Sequence, residues 1–365
     1  MTSCIEEYDL VMEDTGNEIL VVEGHIVGGT ECEFILQRSS CKSETYVLDE
    51  PNLVRNASVY VICSNGKVFG AARGDDYHYY VTMGELDPDE TYNLQIEIYD
   101  EGVYESEPMR PLPASALTDL SYTLSKDGET VQLRISNEDP HEEMYYLWTY
   151  DEHWEINTPL IAEWEYRPHA DRIIELTQKT NRGWCSMANH PILLGNNLDY
   201  GNGALKNYAL YSLSNLNNRF NTRYHTKVRQ IAISKKEYEY YKQKEAQSTQ
   251  TGGLFTLMPA QLPTNIHNDH GRKAEGYIGV HLNASEAELY INHRDVGYKL
   301  TRQVEILPDS VAEKPKWGAL YNQGYRVYRY DVYRDKAEWT VPWCIDCQDS
   351  YWGASLERPD FWQDN

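Results

Sequence analysis

The sequence predicts a mainly β protein: an N-terminal immunoglobulin-like or prealbumin-like β-sandwich, followed by a larger β-rich domain with one or two helices. Three observations carry that reading. Short β-branched and aromatic runs recur at regular spacing through the first hundred residues, with turn residues between them, as sandwich strands do. Asn65-Gly66 and Asp127-Gly128 each separate two such runs. These pairs are the strongest short-range hairpin signal, because both residues tolerate the positive φ of a type I′ turn. Aromatic usage is lopsided, with 30 Tyr and 9 Trp against 5 Phe, a mix suited to half-buried strands whose rings keep one wet end.

In chain order, residues 1–17 read as a tether and residues 18–110 as the sandwich. Ile19 to Ile26 is a β-branched run ending at Gly28-Gly29, and Glu33 to Arg38 alternates weakly. Ala57 to Cys63 turns at Asn65-Gly66 into Val68-Phe69, and Tyr77 to Met83 is a further strand. After a turn at Leu86 to Glu90, Thr91 to Ile98 alternates strictly, with one apolar face. Pro108, Pro111 and Pro113 make a stiff linker, since each fixes φ and removes a donor.

Residues 114–340 form the larger domain. Leu117 to Leu124 and Val131 to Ile135 flank Asp127-Gly128, and Met144 to Tyr150 is an aromatic strand leading into Asp151 to Ile156. One helix is expected: Ser234 and Glu237 form a capping box, and Lys235 to Gln247 carries strong helix formers with Tyr238, Tyr241 and Ala246 near one stripe. Thr251-Gly252-Gly253 ends it, and Tyr277 to Leu282 returns to strand. Residues 341–365 are a tail, with Cys344-Ile345-Asp346-Cys347, Trp352-Gly353 and Pro359-Asp360-Phe361-Trp362. Its apolar aromatic character fits a segment packed on the larger domain.

Composition narrows the function. The 365 residues carry 33 basic and 57 acidic side chains, a formal charge of −24, which repels nucleic acid and anionic lipid. No stretch approaches the roughly 20 apolar residues of a membrane-spanning helix. Nucleophile elbows, His-Glu-x-x-His helices, phosphate-cradling glycine loops and dinucleotide fingerprints are absent from the sequence, so no catalytic residue and no cofactor is expected.

Several polar constellations invite chemistry and fall short of it. Asp151, Glu152 and Glu155 around His153 and Trp154 offer carboxylates beside a ring, as glycosidases use, but read better as a solvated acidic turn. Asn265, His267, Asp269, His270 and Gly271 resemble part of a calcium loop, yet Tyr277 stands where its bidentate acid belongs. Asn197, Asp199, Asn202 and Gly203 make a similar, equally incomplete loop, and no metal is expected. Exposed Trp148, Trp154 or Trp164 could stack on sugar faces.

The cysteines number seven. Met1-Thr2-Ser3-Cys4 reads like the end of a bacterial lipobox, which makes Cys4 the acylated mature N-terminus, followed by the acidic stretch Ile5 to Asp9. Several acyl chains at about 0.8 kcal/mol per buried CH₂ form a stable membrane anchor. Cys344 and Cys347 can close a local disulfide, pack as thiols, or supply half of a metal site. A zinc site needs a second pair, whereas Cys32, Cys41, Cys63 and Cys185 are scattered singly.

Taken together, the Ser3-Cys4-Ile5 start, Leu20 to Ile26, Tyr92 to Ile96 with Tyr104-Glu105-Ser106, Tyr146-Leu147-Trp148 with Glu155, Gly183-Trp184-Cys185, Val228 to Ser234 with Tyr238, Thr251 to Phe255, Pro263 to Ile266 and the tail resemble the bacterial outer-membrane lipoproteins grouped as domain of unknown function 4249. Trp184-Cys185 reverses the family's usual order, and Thr264 replaces an expected Gly. The resemblance implies a non-catalytic lipoprotein, anchored through Cys4 and facing the cell exterior. It also implies a partnership with a TonB-dependent transporter, a β-barrel that the protein helps to capture or admit a nutrient or glycan cargo. A free-standing glycan-binding lipoprotein using exposed Trp and Tyr is the alternative.

Overall fold

The structure is a computed structural model that describes residues 19–39, 52–54, 56–74, 77–187, 191–250, 262–298, 306–350 and 354–363. The fold is mainly β, as the sequence predicts. Strand Ile19–Val27 buries Leu20, Val22 and Ile26 on one face and turns His25 to the other, the period-two consequence of a pleated strand. It pairs antiparallel with Glu31–Ser39, which pairs with His78–Thr82. A second sheet runs Val68–Gly70, Ala57–Cys63, Tyr92–Ile98, Gly102–Ser106. Tyr92, Leu94, Ile96 and Ile98 face the first sheet and share one core with Val22, Phe34, Leu36, Val59 and Val61. Two sheets closed over one core make the sandwich.

The hairpin at Asn65-Gly66 forms, with a different turn from the one expected. Of the pair only Gly66 has positive φ, 89°. Cys63 N–H donates to Lys67 O at 2.9 Å, so the connection is a three-residue loop closing on a glycine bulge.

Both sheets are completed from far along the chain. Ile266–Asn268 pairs with Gly102–Ser106, while Ala274–Glu275 and Gly279–His281 run parallel to Ile19–Val27. These strands fall within the 114–340 stretch read from sequence as the larger domain, yet Ile266, Ile278 and Val280 are buried in the first core. The physical reason is the sheet edge: unpaired N–H and C=O groups on Ile19–Val27 and Gly102–Ser106 need a partner strand. The proline segment is clamped as well. Met109 exchanges both backbone hydrogen bonds with Tyr92, and Leu112 bonds to Val280 and Leu282.

In the second unit a sheet of Leu117–Leu124, Thr130–Asn137 and Tyr208–Ser214 packs on a sheet running Arg182–Met187, Tyr145–Asn157, Arg223–Ile233, Ser285–Asn292. Leu133, Ile135, Tyr146, Phe220 and Tyr224 are among their shared core. Helix Lys235–Gln250 covers the opposite face of the second sheet, setting Tyr240 and Tyr241 against Tyr145, Leu147, Ile231 and Ile233. Its buried stripe is Glu237, Tyr240 and Tyr241; Tyr238 is only half-buried and Ala246 is exposed. The expected end of the helix at Thr251-Gly252-Gly253 lies outside the described residues.

A third, smaller sheet of Ile306–Glu313, Lys336–Thr340 and Arg326–Asp331 encloses Trp317 and Trp339 with Tyr166. The chain then runs back onto the second unit. Trp184 and Ser355 exchange backbone hydrogen bonds, Tyr290 Oη donates to Phe361 O at 3.0 Å, and Trp362 is buried. Trp352-Gly353 lies outside the described residues.

Candidate functional site

The residues named from the sequence are mostly consumed by the fold. Trp148 and Trp154 are buried in the second core, where Trp148 Nε1 donates to Gln230 Oε1 at 2.8 Å. Trp164 is half-buried, edge-on to Tyr330. None of the three is a free stacking platform, because an indole buries too much apolar area to stay outside when a sheet face is open to it.

Asp151 to Glu155 is not a solvated turn but the middle of strand Tyr145–Asn157. Glu152 is buried, accepts from Tyr224 Oη at 2.7 Å, and lies 3.3 Å from Arg219 Nε. Glu155, also buried, pairs with Arg182 Nε at 2.7 Å. Each carboxylate has its own guanidinium.

The two polar loops hold the backbone. Asn265 accepts from Ile278 N–H and donates to Ile278 O, both at 2.9 Å, and Asp269 accepts from Val103 N–H at 2.9 Å. Asn197 spans Met144 and Glu142 in the same way, at 2.8 Å to each. Cys344 and Cys347 are both buried and lie in separate clusters, Cys344 beside Ala162 and Ile345, Cys347 in the second core with Cys185. Cys4 and Cys41 lie outside the described residues.

A site that the sequence reading missed sits where the two units meet. His25 from strand Ile19–Val27, His281 from Gly279–His281 and Glu237 from the first turn of the helix converge. Among the described residues they are the one group of three His, Cys, Asp or Glu side chains placed to share an ion. Three atoms face one another: His25 Nδ1 is 3.2 Å from Glu237 Oε1 and 3.3 Å from His281 Nε2, and His281 Nε2 is 3.5 Å from Oε1.

The backbone dictates this convergence. Parallel pairing sets His25 opposite Gly279 and Val27 opposite His281, so both imidazoles share the face turned away from the sandwich core. Between them Gly279 has no side chain, and Glu237 fills the space: a Cβ on Gly279 would lie 2.3 Å from Oε1 and 2.5 Å from Oε2. Ser234 Oγ accepts from Glu237 N–H at 3.1 Å, half of the expected capping box. The other half is not made, because the carboxylate turns to the imidazoles instead of back to the helix start.

Glu237 and His281 are fully buried, and the His25 side chain is 21 % exposed. Neither carboxylate oxygen of Glu237 meets a donor in hydrogen-bond geometry. Burial alone would lift this carboxyl; the His281 and His25 imidazoles outweigh it and hold it at about 2. Burial pushes the His25 imidazole below its usual value, against the pull of Glu237. The outer ring nitrogens are occupied. His281 Nδ1 donates to Ala232 O at 2.7 Å, and His25 Nε2 lies 3.2 Å from Tyr241 Oη. The arrangement is therefore a buried carboxylate with two imidazole nitrogens aimed at one point, chemically able to hold a proton or a cation.

The signal for it was present as a pair of histidines in the outward register of two mostly apolar strands, one of them two residues after a glycine. Glu237 was already accounted for by capping, and His25 and His281 are 256 residues apart, so nothing linked them.

A search of the curated proteins found no match. Among solved structures, the crystal structure of a DUF4785 family protein from Legionella pneumophila is similar at 11 % identity and a TM-score of 0.18, covering 58 % of this chain. The chain spans about half the length of that protein, 52 %. The family model described as domain of unknown function (DUF4249) matches residues 5–287, a span that contains His25, Glu237 and His281 and leaves the Cys344 to Trp362 tail outside. With well over half of its length matched, the chain belongs to the DUF4249 family.

Proposed function

We propose that this protein is a non-catalytic lipoprotein of the outer membrane, anchored through Cys4 and facing the cell exterior, that assists a TonB-dependent transporter in capturing or admitting cargo. The observation that supports this best is membership of the DUF4249 family, whose other proteins the sequence resemblance places in that setting. The architecture agrees with binding rather than turnover. The return of residues 266–281 packs into the first core, and the carboxylates read as candidate acids are tied to arginines. The free-standing glycan reading loses its main support, since two of its three rings are in the core.

The test is affinity purification of the full-length protein from its native outer membrane beside Cys4→Ala. A β-barrel transporter recovered in stoichiometric amount with the wild type, and lost with the variant, is the expected result. Recovery without any barrel partner, whatever the anchor, overturns the proposal.

A further inference from the structure

We propose that His25 Nδ1, His281 Nε2 and Glu237 Oε1 bind one divalent cation of the zinc class, which clasps the first sandwich to the helix of the second unit. The distances carry the argument. Donor atoms held about 2.0–2.1 Å from a tetrahedral ion stand about 3.3–3.4 Å apart. The three edges here are 3.2, 3.3 and 3.5 Å, so one ion fits at bonding distance from all three.

The surroundings match the way histidine ligands are held. Such ligands engage their far nitrogen in a hydrogen bond that fixes tautomer and ring orientation. His281 Nδ1 donates to the Ala232 carbonyl, which in the neutral ring leaves Nε2 as a lone pair facing Glu237. Tyr241 Oη stands at His25 Nε2 in the corresponding position. In the tautomer where His25 Nε2 donates to Tyr241 Oη, as His281 Nδ1 does to Ala232 O, three electron-rich atoms face one another across roughly 3.3 Å, an arrangement that a cation stabilises.

Donor type selects the ion class. Two imidazoles and one carboxylate suit Zn²⁺ and its first-row neighbours rather than Ca²⁺ or Mg²⁺, which take oxygen ligands in higher number. Three protein ligands leave one coordination position, which a water can fill from the side where His25 is partly exposed. Burial of Glu237 and His281 makes the ion a structural clasp. It joins the paired strands Ile19–Val27 and Gly279–His281 to the start of Lys235–Gln250, which meets them here through side chains.

The experiment is a Co²⁺ titration of the full chain, purified without a polyhistidine tag and stripped with chelator, followed by displacement with Zn²⁺. One equivalent of Co²⁺ with the intense visible d–d bands of a four-coordinate site is expected, displaced stoichiometrically by Zn²⁺, with a higher Tm in the Zn²⁺ form. Glu237→Gln and His281→Gln should each weaken binding at least tenfold, Tyr241→Phe about tenfold, and His153→Gln, an imidazole elsewhere in the second unit, not at all. His25→Gln, on the partly exposed ring, serves if the buried variants fail to fold. A wild type that takes up no Co²⁺ and gains no Tm from Zn²⁺ overturns the proposal. So does a folded Glu237→Gln protein that retains the same stoichiometry and bands.

Discussion

Residues 265–271 and the His25–Glu237–His281 cluster contain the same kinds of side chain and use them in opposite ways. In the loop, ligand-type residues lie side by side in sequence, and their polar atoms are spent on nearby backbone: Asn268 Oδ1 accepts from His270 and Arg272 N–H at 2.9 and 3.0 Å, and Asp269 accepts from Val103. His267 and His270 remain largely exposed. In the cluster, three residues drawn from strands and a helix turn one polar atom each toward the others. Asn and Asp in loops compete for local backbone donors, whereas a side chain projecting from a regular element has its own backbone already satisfied. Proximity in sequence is therefore the poorer guide to a site.

Breaking the cluster should cost most. Glu237→Ala leaves two imidazoles facing a void in place of a buried charge partner, and a loss of about 3 kcal/mol is expected in urea unfolding at neutral pH. A loss indistinguishable from that of a surface mutation would make the cluster incidental. Gly279→Ala comes next: its Cβ displaces the carboxylate without removing it, at about 2 kcal/mol, with the fold otherwise unchanged by circular dichroism. Asp269→Ala removes only the cap on Val103 N–H, at about 1 kcal/mol, and should leave the Co²⁺ titration unaltered; any change there would tie the loop to the site.

The smallest effect concerns a carboxylate beside that loop. Glu101 is paired with Arg38 and Tyr104 and lies 3.8 Å from Arg272 Nη1. Burial pulls its carboxyl up, but the Arg38 and Tyr104 hydrogen bonds and the two guanidinium charges outweigh this and hold it below the usual carboxylate value. A carboxyl depressed in the folded state contributes stability above its unfolded pKa and loses it as pH falls through the folded one. Wild type should therefore lose about 1 kcal/mol more than Glu101→Gln on acidification below pH ~4.3. Parallel urea midpoints for the two proteins across that window would remove the ion pair from the account.

Local regularity was legible in the sequence and non-local pairing was not. The alternation of Thr91 to Ile98 declares both the strand and its buried face. Asn65-Gly66 declares a hairpin, although only the glycine takes the left-handed conformation. At Asp151 the reading stopped too early, since three acids in five residues look solvated. The strand continues because Arg219 and Arg182, 67 and 27 residues away from their partners, neutralise Glu152 and Glu155. The burial of Trp148 and Trp154 follows from the same misjudged strand, whose even-numbered residues face the second core. For the cluster, the capping box gave Glu237 an adequate local explanation that hid its orientation.

The late return of residues 266–281 also governs how the chain can reach its native state. Until that stretch is available, Ile19–Val27 and Gly102–Ser106 have no partner on one side, separated from their mates by some 250 and 160 residues of chain. Contacts of such span form slowly, because loop closure must precede any gain from pairing. During that interval the amino-terminal half carries apolar strands with open edges, the template for mispairing between chains. A nascent copy is thus most exposed to mispairing midway, with its first sandwich made but not closed.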